Sequence, residues 1–140
     1  MVEPFRHRHR VKYAECTVGN HIYYARYLDL IEAARGEFLR SLGDSLLQWQ
    51  ERGVIFPVLE ARLRYLAPAR YDDTLEIHVS VIKAERVRLN FAYRIQNQKG
   101  SSILIAETWH ACTGLDDKPR RLPEELVAAL QPHLNAAVTD

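Results

Sequence analysis

Cysteine is scarce: Cys16 and Cys112 are the only two in 140 residues, and they stand in no metal-ligand spacing. Taken with His7, His9, His78 and His110 they compose no zinc pattern, so no metal is expected. The chain also lacks a secretory leader's apolar core and any apolar run of about eighteen residues, which argues against a membrane span. Together these absences predict reduced thiols in a cytoplasmic protein. Charge of a dominant sign is missing too. A net charge of +1 and a pI near 7.8 exert no global pull on nucleic acid, so the 19 lysines and arginines matter only where they cluster. There are no repeats, low-complexity tracts or linkers. What remains, 47% hydrophobic and 26% charged residues, suits one domain, 1–140, whose core needs no staples.

The strongest periodic signal comes early. Tyr24, Tyr27, Leu28, Ile31, Ala34, Phe38 and Leu42 fall three or four apart and Gly43 stands where a C-terminal cap belongs, so a helix is expected over roughly 23–42. Asp29, Glu32, Glu37 and Arg40 fall on its solvent side. Before it, Thr17, Gly19 and Asn20 are turn and capping types, so the chain reverses there and presents the first free N–H groups of a long helix. Such a terminus attracts negative charge, a developing oxyanion included. Upstream, Phe5, His7, His9, Val11 and Tyr13 alternate with Arg6, Arg8, Arg10 and Lys12, the pattern of a strand. Its cationic side carries no interleaved aromatic and reads as a solvated face rather than an RNA stripe.

Asp44 to Arg52 is a short helical or irregular connector closed by Gly53. A long strand is expected over 54–66, with Leu59, Ala61, Leu63 and Tyr65 on one face and Pro57 marking an edge or bulge. Residues 67–73 are turn types. Leu75, Ile77, Val79 and Val81 form the apolar face of the next strand, followed by a turn at 83–86, a strand over 87–96 and a last strand over 103–115. Pro123 opens a terminal helix over 124–130, and residues from 136 onward are expected to fray. The order is a strand, a long helix, four strands as an antiparallel meander and a short C-terminal helix. This is an α+β chain whose five-stranded sheet wraps the long helix, since both apolar stripes need one core. The sheet's edges need cover, and a second copy of the chain supplies it economically.

Five segments in this order resemble the hotdog-fold acyl-CoA thioesterases of the 4-hydroxybenzoyl-CoA thioesterase-like superfamily. They are 11–13 leading into the loop, 21–28 opening the helix, 32–35 within it, 65–73 joining two strands and 119–123 before the terminal helix. The resemblance spans nearly the whole chain. It implies a hotdog fold, a homodimer or homotetramer with pockets at the subunit interface, and an acyl-CoA or acyl carrier protein thioester as substrate. The reaction it implies is hydrolysis by water without a cofactor. N–H groups near Tyr23 and Tyr24 would polarise the thioester carbonyl, and a loop carboxylate would act as nucleophile or as base for water. That carboxylate, normally Asp, falls on Thr17, the main departure from the family pattern.

Threonine has no useful basicity near neutral pH. In one reading Glu15 substitutes, sharing a face with Tyr13 and Thr17 if the strand persists, although alternate Cα atoms lie about 6.8 Å apart, more than one methylene spans. In a second, Thr17 with Asn20 or His21 orients a water while the helix terminus polarises the carbonyl. Hotdog thioesterases of enediyne polyketide assembly are similar in lacking the acid, and they keep an arginine at the position of Arg35. In a third, the protein binds acyl thioesters and hydrolyses little. A hotdog dehydratase is disfavoured because no histidine is evidently paired with an acid. His21 reads as fixing the loop ahead of moving a proton, and the rings of Tyr23, Tyr24 and Tyr27 as core or pocket wall. Arg35 has Glu32 as a competing partner on its own helix, and Cys16 has no identifiable base. Arg70, Lys83, Arg86 and Arg88 are the candidates for CoA phosphates, since the family places the nucleotide near strand ends. Thr17→Asp, which restores the usual acid, is expected to raise hydrolysis at least about tenfold. An unchanged rate of thiol release from a folded variant would show that the pocket or the alignment of this loop is wrong.

Overall fold

The computed structural model describes residues 3–134. Its strands are β1 (Phe5–Arg10), β2 (Val58–Tyr65), β3 (Thr74–Glu85), β4 (Arg88–Gln96) and β5 (Ser102–Ala111). Its helices are α1 (Arg26–Ser41), α2 (Leu46–Glu51) and α3 (Glu124–Leu130). The strands make one antiparallel sheet in the order β1-β3-β4-β5-β2. Strict alternation in β3 and β4 sends Leu75, Ile77, Val79 and Val81, then Leu89, Phe91, Tyr93 and Ile95, to one fully buried side. The buried face of α1 belongs to the same core through Ile31, Ala34 and Phe38. Phe38 is its centre, with ring centroids 5.4 Å from Phe5 and 6.3 Å from Phe91. Ser45 starts α2 with a reciprocal cap: Gln48 N–H donates to Ser45 Oγ at 3.2 Å and Ser45 N–H to Gln48 Oε1 at 2.7 Å.

Several expectations need correction. The helix begins at Arg26 rather than Tyr23, because the Tyr23 N–H is spent on the Glu15 carbonyl (2.9 Å) and Arg26 N–H turns back to Tyr23 O (2.8 Å). Its buried stripe is rotated to take in Leu30, Arg35 and Leu39, while Tyr24 and Leu28 stay exposed. The first strand stops at Arg10, since Val11 pairs with Asp73 and Asp72 in the β2–β3 connection and a 3-10 turn, Tyr13–Glu15, follows. Tyr13, Glu15 and Thr17 therefore share no strand face. The long strand expected over 54–66 begins only after Pro57, whose missing N–H suits an edge, and a register shift between Val58 and Glu60 follows it.

The four-strand meander shrinks to three. Only β3, β4 and β5 follow one another in the sheet, for β2 pairs with β5 on one edge while β1 takes the place beside β3 on the other. The third strand runs on to Glu85 past a bulge between Val81 and Lys83, so the turn is Arg86–Val87 instead of 83–86. Arg86 holds its left-handed position at φ 56°. The last strand ends at Ala111, beyond which Thr113 forms single bridges to Ile55 and Pro119. Pro123 caps α3 from just outside its first turn, and the fraying expected from 136 lies outside the described residues. Phe38→Ala is expected to lower the unfolding free energy by about 3–5 kcal/mol in urea titrations. A loss under about 1 kcal/mol would contradict this helix–sheet packing.

Candidate active site

The chain reaches α1 through two tight turns. Gly19 at φ 73° and Asn20 at φ 61° lie within the second, Val18–Asn20, and are the residue types that enter the left-handed region at least cost. Backbone bonds close the loop on itself: Thr17 N–H to His21 O at 2.7 Å, Asn20 N–H to Thr17 O at 3.0 Å. Others dock it on the β2–β3 connection, with Ile22 N–H on Ala69 O at 3.0 Å and Tyr71 N–H on Asn20 O at 2.9 Å. Thr17, Asn20, His21 and Arg70 are thereby gathered in one place, His21 and Arg70 as a bridged pair. The side chains of Thr17, Asn20 and His21 make no hydrogen bond among the described residues, so it is the backbone of His21 that fixes the loop.

At the helix start the two polarising groups part company. Tyr23 N–H is bound to Glu15 O, whereas Tyr24 N–H, and with it Ala25 N–H, finds no acceptor among the described residues. Ala25 escaped the sequence reading because the helix start was placed three residues too early. Two free donors at the positive end of a 16-residue helix can hold an oxygen that gains negative charge. Tyrosines frame them. Tyr65 Oη donates to Tyr24 O at 3.0 Å, and its ring stands 6.4 Å from Tyr24 and 5.5 Å from Tyr27. Tyr27 is buried, which raises its hydroxyl pKa, and its Oη accepts Ala69 N–H at 3.4 Å. Tyr23 and Tyr24 are exposed.

Glu15 folds back instead of pointing along a strand. His9 Nε2 donates to both its oxygens at 2.8 and 3.1 Å, and Lys12 N–H adds a third bond at 2.7 Å. This is a histidine–acid pair that alternation could not reveal, because the intervening 3-10 turn brings residues six apart together. Beside it Cys16 is half-buried; burial and then the Glu15 charge push its thiol pKa up, which suits a nucleophile poorly.

Arg35 is buried at the head of a polar chain no periodicity announced. Phe56 O can only accept, so His110 Nδ1 donates to it across 3.1 Å and His110 Nε2 must accept from Thr108 Oγ1 at 2.8 Å. Thr108 in turn accepts from Tyr93 Oη at 2.6 Å, and Tyr93 accepts from Arg35 Nη1 at 3.1 Å. Every donor direction is thus set from the Phe56 end, and the guanidinium is held from inside. The expected pairing with Glu32 is looser, 4.0 Å to Arg35 Nη2.

Lys83, Arg86 and Arg88 stand apart from all this. They surround the β3–β4 hairpin, roughly 30 Å along the strands from Arg70 at a rise of about 3.3 Å per residue. A cavity of about 990 Å³ opens there, lined by Lys83, Arg86, Arg121 and Leu134 among others, with Asn90 Oδ1 buried at its wall and without a hydrogen-bond partner among the described residues. Trp49 of α2 is buried in the core. Among the described residues no three His, Cys, Asp or Glu side chains converge to hold a metal, and no helix is long and apolar enough to cross a membrane.

A family model for the thioesterase superfamily matches residues 19–104. The acyl-CoA thioester hydrolase YbgC of Escherichia coli O6:H1 is 36% identical over 125 residues, which cover 89% of this chain and 93% of that one. The 1,4-dihydroxy-2-naphthoyl-CoA hydrolase of Thermosynechococcus vestitus is 30% identical over 123 residues, 86% of this chain and 84% of its own. Among solved structures, a hypothetical protein from Aquifex aeolicus superposes with a TM-score of 0.86 at 29% identity, covering 91% of this chain and all of that one, 100%.

The buried chain carries a pH signature. Burial, reinforced by the Arg35 charge, lowers the His110 pKa from 6.5 to about 4. The unfolded chain therefore takes up a proton below about pH 6.5 that the folded one refuses until about pH 4, so stability is full above that window and falls through it on acidification. About 3 kcal/mol is expected to be lost across it. His110→Gln should flatten that slope by about one proton in urea titrations between about pH 7 and 4.5. Equal slopes in both proteins would mean that His110 is not held neutral.

Proposed function

The chain belongs to the thioesterase superfamily, and from that membership we propose that it hydrolyses an acyl-CoA or acyl carrier protein thioester to the free acid and a thiol. The observation that carries the reading is the pair of unclaimed N–H groups of Tyr24 and Ala25 at the start of α1, beside the Thr17 loop. The thioester carbonyl oxygen accepts from them and gains negative charge as water adds to the carbonyl carbon. The C–S bond then breaks, the carbonyl re-forms, and the proton released by water ends on the thiol sulfur. Thr17, Asn20 and His21 are the polar side chains at hand to hold the water. Without a carboxylate free for base duty the rate is expected to be about a hundredfold below that of an acid-bearing relative. Glu15 serves by position, tying β1 to the loop through His9, and Arg35 serves as a fixed cation held against Tyr93 of β4.

The same reading makes the protein a homodimer or homotetramer. Val58, Leu59 and Tyr65 on the edge strand β2, with Tyr24 and Leu28 beside them, leave a broad apolar surface open. Antiparallel pairing of two β2 edges about a two-fold axis reverses one sheet against the other, so the hairpin of each subunit comes toward its partner's loop end. Lys83, Arg86 and Arg88 of one subunit then join Arg70 of the other around the CoA phosphates. Two unpaired thiols, Cys16 and Cys112, suit the proposed cytoplasmic setting.

A second reading, an acyl-thioester-binding protein that hydrolyses little, is favoured by one observation, Thr17 in the place of the acid. Thiol release from benzoyl-, short-chain, long-chain and hydroxynaphthoyl-CoA separates the two, with Glu15→Gln and Thr17→Ala alongside. Hydrolysis is expected from the wild type, lowered about tenfold or more in Thr17→Ala. Binding without release on every ester would establish the second reading instead.

A further inference from the structure

The arginines of β1 do not end at β1. Cross-strand register lines up Arg6, His78, Arg94, Ile105 and Arg64 in a single row from one edge of the sheet to the other. Residues so paired lie on the same face, here the one turned away from α1. The adjoining rows add Arg8 beside Glu76, and Arg62 beside Glu107. With Arg10 and, past the β3 bulge, Arg88 beside Glu85, the outer face carries seven arginines against four glutamates, Glu60, Glu76, Glu85 and Glu107. Two of those acids are already engaged: His78 Nε2 donates to Glu76 Oε1 at 2.7 Å, and Arg62 Nε to Glu60 Oε2 at 2.6 Å. Arg8 and Arg64 are exposed and form no ion pair among the described residues.

A second feature sits inside this basic field. A hollow of about 760 Å³ opens between β2, β5 and β4, with Ala92, Ile105 and Trp109 offering apolar surface and Arg62, Arg64 and Glu107 its charged groups. Trp109 is only partly exposed, its ring covered by the Arg62 guanidinium at 5.1 Å. A hollow with apolar surface and two arginines against one glutamate matches an acidic surface that also brings an apolar anchor. Scale decides between ligands. The arginine row crosses four inter-strand gaps, roughly 19 Å at about 4.8 Å each, far wider than one phosphate or carboxylate. That width equals three to four turns of helix at about 5.4 Å per turn. Single-stranded nucleic acid would need open aromatic platforms, and the one aromatic here is already capped.

We propose that the outer face of the sheet is a docking surface for an acidic partner protein, engaged through an amphipathic helix that sets an apolar side chain in the Trp109 hollow and its carboxylates along the arginine row. That the partner carries the thioester, as an acyl carrier protein does, rests on the hydrolysis proposed above; the surface itself does not. Docking of this kind is salt-sensitive and raises encounter rates more than it tightens the final complex.

The probe is an octanoyl-loaded acyl carrier protein set against octanoyl-CoA. Arg8→Glu and Arg64→Glu lie on opposite edge strands and outside the catalytic loop. Each is expected to weaken calorimetric binding of the carrier protein about tenfold or more and to raise KM for the carrier-bound ester alike. Turnover of octanoyl-CoA is expected to stay unchanged. Wild-type affinity for the carrier should also fall several-fold between about 50 and 250 mM salt. Carrier affinity unchanged in both variants overturns the surface. So does a loss confined to Arg64→Glu that coincides with a change in oligomeric mass, which would trace the effect to the β2 edge. Salt-sensitive binding of single-stranded RNA with none of the carrier protein overturns it in favour of nucleic acid. If neither octanoyl ester is hydrolysed, the proposed reaction fails while the binding comparison still decides the surface.

Discussion

Burial of one face of α1 against the inner sides of β3 and β4 is the constraint from which the other features descend. Phe38 meets Phe91 and Phe5 there, and the flanking aliphatic side chains leave no room for the helix to slide or roll. The axis of α1 is fixed by that contact, and with it the place and direction of its first free N–H groups. The loop in front then has one task, to reverse the chain without spending those donors. It spends Tyr23 N–H on Glu15 and stops, leaving Tyr24 and Ala25 unclaimed. A helix start normally finds a side-chain cap; here Ala25 occupies the capping place and offers none. The packing of α1 on the sheet, rather than a cap, holds this terminus in place.

The same packing explains what the structure leaves open. One helix is narrower than five strands, so it packs over β1, β3 and β4 and leaves β2 bare, with most of its side chains exposed on either face. The polar chain from Arg35 to Phe56 runs along this margin of the core. Placed deeper, the guanidinium would lack a path to solvent; placed further out, Tyr93, Thr108 and His110 would have no reason to be dry. Satisfying each member in a single direction lets a charged side chain sit at less than a tenth exposed without an acid in firm contact.

What was legible in the sequence followed from local rules. Period two in β3 and β4, period three to four in α1, and Pro123 before α3 all depend on neighbours a few residues away, and each element came out within a few positions. The place of β2 did not, because alternation says which side chains share a face and nothing about which strand lies next door. Tyr24 and Leu28 had the right spacing for the buried stripe, but they fall beyond the width of sheet available to cover them. His9 and Glu15 meet through a 3-10 turn, and Arg35 meets Tyr93 across 58 positions of chain. Neither leaves a mark on hydrophobic periodicity. The loop residues Thr17, Asn20 and His21 were found through family resemblance, and the structure adds their common backbone frame and the docking on Ala69 and Tyr71.

In the reaction proposed above, a threonine at position 17 removes less from the site than the acid's prominence suggests. General base help contributes about 10² to 10⁴ in rate, and a preorganised donor to the developing oxyanion contributes about 10² to 10³ for each group lost. The two effects are separable in this fold because they come from different elements, the base from the loop and the donors from the helix terminus. Changing the loop side chain leaves α1, its anchorage at Phe38 and its open N–H groups where they were. The half of the machinery that depends on the fold therefore survives the loss of the half that depends on one residue. Under the proposed reaction, catalytic power varies with the side chain at position 17, whereas the open N–H groups of Tyr24 and Ala25 stay tied to the packing of the core.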